Sequence, residues 1–113
     1  MIKIYHNPRC RKSREGLAIL KASGKPFETV LYLDSPPSEN ELKQILGLLG
    51  IKPEGLLRKS EAIWKEKYKG KTLDDNAIIQ AMTQYPKLIE RPVVINGNKA
   101  IIGRPPEKIN EIL

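Results

Sequence analysis

A chain of 113 residues with 40% hydrophobic content suffices for one modest core and leaves little room for a second independent domain, so a single domain over residues 1–113 is expected. Its lone cysteine excludes an internal disulfide, and one cysteine with one histidine offers no zinc-site spacing, so no metal and no bound cofactor are expected. The apolar runs are too short to span a membrane and the first residues, MIKIYHNP, lack signal-peptide character; a soluble cytoplasmic protein, expected to be monomeric, is the default.

In chain order, IKIYHN reads as a short strand and RKSREGLAILKASG as a helix, with Ser13, Leu17 and Leu20 along one side and Gly24 as its stop. FETVLYL, rich in β-branched and aromatic residues, predicts a second strand. Residues 1–33 therefore predict a βαβ unit with a parallel pair. DSPPSENELKQILGLLG has a Pro-Pro stop, a capping box of Ser38 with Glu41, and Leu42, Ile45, Leu46 and Leu49 at the i, i+3, i+4, i+7 spacing of a helix. SEAIWKEKYKG and TLDDNAIIQAMTQYP predict two more helices, the second with Thr72 and Asp75 as its cap and Ile78, Ala81, Met82 and Tyr85 on one face. RPVVINGNKAIIG reads as two strands joined across Asn96-Gly97, and PPEKINEIL as a short closing helix with Ile109, Ile112 and Leu113 on one side. The class is α/β: βαβ, three helices, then ββα.

Charge is unevenly placed. Residues 1–25 hold +6 of the net +7, from Lys3, Arg9, Arg11, Lys12, Arg14, Lys21 and Lys25 against Glu15 alone. Such a field suits a small anion or an acidic partner. At its centre, in YHNPRCRKSRE, Cys10 stands where a strand gives way to a helix, so helix-start N–H groups and neighbouring cations would favour its thiolate. The bland alternative is a buried, inert thiol. His6 can donate to the thiolate or add charge beside it, and Asn7 and Ser13 can donate hydrogen bonds to it or to a bound oxyanion. Ser13 also stands where a C-x-x-C motif would have its second cysteine, so any adduct at Cys10 must be resolved by a thiol from outside. Arg58, Arg91 and Arg104 lie at element boundaries, where guanidinium forks suit a tetrahedral oxyanion if the fold makes them converge.

The run YHNPRCRKSRE, followed by LLRK, RPVVI and GRP, resembles the glutaredoxin-coupled arsenate reductases, the ArsC-like branch of the thioredoxin superfamily, over essentially the whole chain. The resemblance implies a thioredoxin-like fold with a mixed sheet and a three-helix insertion over about residues 36–86. It implies Cys10 as the nucleophile toward arsenate, with His6 and Ser13 lowering its pKa. Arg58, Arg91 and Arg104, with Asn7, would bind the oxyanion, and Pro92 would be a cis proline facing the nucleophile. Glutathione as co-substrate and a glutaredoxin-like reductant are implied as partners. Arg11 and Lys12 depart from the small or neutral residues usual after the cysteine, which bears on the reductant that docks. A regulator resembling Spx, which binds RNA polymerase through the same fold, is the competing reading, but its C-x-x-C switch is missing here. Nucleic-acid binding is not expected, because no stacking aromatics accompany the basic region.

Overall fold

Alternation in IKIY buries Ile2 and Ile4 on one face of a strand, and the rest of the N-terminal unit is assembled on that strand. The computed structural model describes Met1–Leu113 and divides into two compact units, Met1–Ser35 with Arg91–Leu113, and Pro36–Glu90. In the first, β1 (Ile2–Tyr5) pairs parallel with β2 (Phe27–Val30) and antiparallel with β3 (Val93–Asn96), which pairs in turn with β4 (Lys99–Ile102). The order β2-β1-β3-β4 makes a mixed four-stranded sheet, the thioredoxin-like arrangement of βαβ followed by ββα. Ile2, Ile4, Leu20, Val94 and Ile109 form its buried centre, flanked by Leu17, Phe27, Ile101 and Ile112.

Helix α1 (Arg11–Ser23) crosses between the parallel strands, buries Ser13, Gly16 and Leu20, and stops at Gly24, whose φ of 72° is the left-handed conformation of a C-terminal cap. The strand expected over FETVLYL is shorter than its composition suggests. β1 ends at Tyr5 opposite Val30, and after His6 N–H donates to Val30 O the sheet has no further partner, so Leu31–Ser35 turns instead. The hairpin turns one residue later than expected: Asn96 is still paired with Lys99, and Gly97-Asn98 form the turn. Gly97 alone has positive φ there, 63°, the II′ pattern of a two-residue loop. The closing segment Pro106–Ile112 is a 3₁₀ helix whose three-residue period stacks Ile109 and Ile112 on the same side.

The second unit is helical. In α2 (Glu39–Leu49), Ser38 Oγ accepts the Glu41 N–H, and Leu42, Ile45 and Leu46 are buried as their spacing predicts. α3 (Ala62–Lys67) is only six residues long and buries none of them, because its sequence offers no apolar face; Trp64 stacks on Tyr68 instead. α4 (Asp75–Gln84) is capped by Asp74, whose carboxylate accepts the Ala77 N–H, rather than by Thr72. Short 3₁₀ turns at Pro53–Leu56 and Pro86–Leu88 flank an antiparallel bridge between Leu57 and Ile89.

Candidate functional site

The loop after β1 is shaped by one residue. Asn7 C=O accepts the Cys10 N–H at 3.0 Å, its Oδ1 accepts the Arg9 N–H at 3.0 Å, and its own N–H donates to Ser13 Oγ at 2.9 Å. Arg14 reaches back from α1 to the Pro8 carbonyl at 3.0 Å. These bonds set Cys10 in extended backbone as the residue that opens α1, half-buried, with no acidic residue in the first turn.

Burial alone would raise the Cys10 thiol. The Arg91 guanidinium, hydrogen-bonded to the sulfur, outweighs it together with the backbone N–H of Ser13, the Arg91 charge and the N–H of Lys12, and the thiol lies below its ordinary value. Neither N–H makes a full capping bond, but both lie in the first turn, where helix-start donors favour an anion. The two cations that follow Cys10 act differently: Arg11 Nε and Lys12 Nζ turn to Glu15, at 3.1 and 3.8 Å, on the outer face of α1.

His6 and Ser13 also differ in detail from the expectation that both reach the thiol. His6 Nδ1 lies 2.7 Å from Ser13 Oγ, and both side chains are buried. With the Asn7 N–H donating to that hydroxyl, its own proton is left for Nδ1, which fits a neutral imidazole carrying its hydrogen on Nε2. Burial holds His6 below the usual imidazole range against a backbone hydrogen bond at Ser13 that raises it, and the charges of Lys21 and Arg14 lower it further. Ser13 thus bears on the sulfur through its backbone, while its hydroxyl ties His6 to Asn7.

The Arg91–Pro92 peptide bond is cis, and so is Arg104–Pro105, which the sequence did not suggest. Arg104 Nη1 donates to the Arg91 carbonyl at 3.3 Å. Cys10, Arg91, Arg104, His6, Asn7 and Ser13 therefore belong to one unit. Arg58 lies in the other, where the bridge at Leu57 sets it beside Glu90; Nη1 meets Glu90 at 2.5 Å and Nε meets Glu61 at 3.4 Å. Arg14, visible in the sequence only as part of the basic field, clamps the loop, and Gly16 is a mid-helix glycine, a signal of close packing that the sequence carried unread.

The sequence is 47% identical to the uncharacterized protein YfgD of Escherichia coli over 99% of this chain and 96% of the relative. It is 43% identical to an arsenate reductase of Neisseria meningitidis over 99% of this chain and 97% of that one. A solved arsenate reductase from Vibrio cholerae superposes with a TM-score of 0.94 at 44% identity, covering 99% of this chain and 97% of that one. The model of the ArsC family matches residues 5–112, and with relatives this similar along their whole length the chain belongs to the ArsC family.

Proposed function

We infer that this protein is an arsenate reductase whose nucleophile is Cys10. The observation that carries the reading is the Arg91 guanidinium on the Cys10 sulfur at the start of α1, an arrangement that both favours the thiolate and presents a fork to a tetrahedral anion. The relatives named arsenate reductases, similar over the full chain, supply the substrate. In the proposed reaction the thiolate attacks arsenic, an S–As bond forms and one oxygen leaves as water. Arg91 and Arg104 offset the oxyanion charge. Arg58 is retained as a ligand on its match to the family pattern, and Asn7 as the residue that shapes the loop.

With a single cysteine the chain cannot supply both reducing thiols itself. Glutathione then bonds to the arsenic and displaces a second oxygen as water; a glutaredoxin-like thiol attacks the glutathione sulfur, the As–S electron pair stays on arsenic, and water cleaves the remaining Cys10–arsenic bond. In net terms two thiols lose two electrons and become a disulfide, arsenic(V) becomes arsenic(III), and arsenite leaves. The test is arsenate-dependent NADPH oxidation with glutathione, glutaredoxin and glutathione reductase. Turnover by the wild type and none by Cys10→Ser is expected; retained turnover by the serine variant would sink the mechanism, and no turnover by the wild type the assignment.

A further inference from the structure

The glycines at positive φ are Gly24, Gly50, Gly70 and Gly97; Gly16 and Gly103 are not among them. Both are buried, and a Cβ at either would crowd its neighbours until one of them shifts. From Gly16 it would stand 2.9 Å from Ile109 Cδ1 and 3.0 Å from Pro92 Cγ; from Gly103, 2.9 Å from Pro92 Cγ and 3.0 Å from Ile109 Cδ1. Close approach, not backbone conformation, asks for glycine at these positions. In mid-helix glycine is a poorer helix former than alanine, so the packing gained at Gly16 must offset that cost.

The two slots receive the same pair of side chains. Gly103 N–H also donates to the Pro92 carbonyl at 2.8 Å, and Arg104 holds the Arg91 carbonyl. The helix that carries Gly16 begins at Cys10, and the residue before Pro92 is the arginine that touches the sulfur. We propose that Gly16 and Gly103 are positioning residues: the space they leave for Pro92 and Ile109 fixes where the Arg91 guanidinium stands relative to the Cys10 sulfur. This rests on reading Cys10 as the nucleophile. The groups that bear on the sulfur are Arg91, from the segment ahead of β3, and the N–H groups of Ser13 and Lys12, from α1 itself. Only the first depends on how closely α1 approaches Pro92.

The test is the pH midpoint of Cys10 alkylation by iodoacetamide in Gly103→Ala, Gly16→Ala and Gly16→Ala/Ile109→Val, with thermal unfolding measured beside it. Pro92 Cγ belongs to a ring that can only pucker, so Gly103→Ala should raise the midpoint by about half a pH unit or more while unfolding stays cooperative. Gly16→Ala should do the same. Adding Ile109→Val deletes the Cδ1 methyl that the new side chain meets first, and should return a large part of the displacement. A purely structural role would lower Tm and leave the midpoint where it was. A wild-type midpoint in either folded single variant overturns the proposal for that glycine. Loss of cooperative unfolding in all three variants overturns it for both, because the glycines would then serve stability. Alkylation needs no oxyanion, so failure here leaves the arsenate assignment standing, and failure of arsenate turnover leaves this result standing.

Discussion

Arg91 is separated from Cys10 by most of the chain, yet it is the cation whose side chain meets the sulfur, while Arg11 and Lys12 beside the cysteine spend their charge on Glu15. A basic cluster could be read from the sequence; which of its members faces the thiol could not, because helix geometry sends i and i+4 outward together. If Arg91 binds the oxyanion with its fork, Arg91→Lys keeps the charge and loses the bidentate geometry. Arsenate kcat/KM should then fall at least tenfold, about 1.4 kcal/mol of transition-state stabilisation, whereas Lys25→Ala, at an exposed position beyond α1, should leave it nearly unchanged. A larger loss in the Lys25 variant would mean diffuse electrostatics. At His6 the sign runs with acid. Its folded pKa is lowered, so the unfolded chain binds the proton first, and stability present above about pH 6.5 is lost as pH falls toward the folded value. Tm of the wild type should therefore drop on acidification from pH 7.5 into that window, and His6→Gln should flatten that part of the profile.

At the scale of elements, what a segment contains locally was readable and what it borrows from a neighbour was not. The spacing of Leu42, Ile45 and Leu46 and the cap at Ser38 are properties of α2 alone, and both stand in the structure as the sequence predicts. The end of β2 depends on where β1 stops, and the closing helix takes 3₁₀ form. The start of α4 turned on a choice between two oxygen-bearing side chains, and the carboxylate of Asp74 took it at 2.8 Å. Asp74→Ala should cost about 1 kcal/mol in denaturant unfolding by removing that cap, while Thr72→Ala should change stability by no more than a few tenths. Equal losses would show that the cap is shared.

Across the whole molecule, no helix is long and apolar enough to cross a membrane, and the family relationship covers all but the first four residues and the last. The loop-and-helix start that carries Cys10, the cis Pro92 and the three arginines were all visible as family motifs. The close packing of Pro92 and Ile109 against Gly16 and Gly103 was not, since it arises only when α1, β4 and the closing helix come together. An activated Cys10 thiolate that meets arsenate directly is tested by the rate of Cys10 alkylation at pH 7 as arsenate is titrated in at constant ionic strength, with chloride as the matched control. Alkylation should be faster than that of a free cysteine, whose pKa of about 8.5 leaves only a few per cent thiolate, and should be slowed saturably by arsenate alone. A slow rate, or one that arsenate and chloride affect alike, would contradict it.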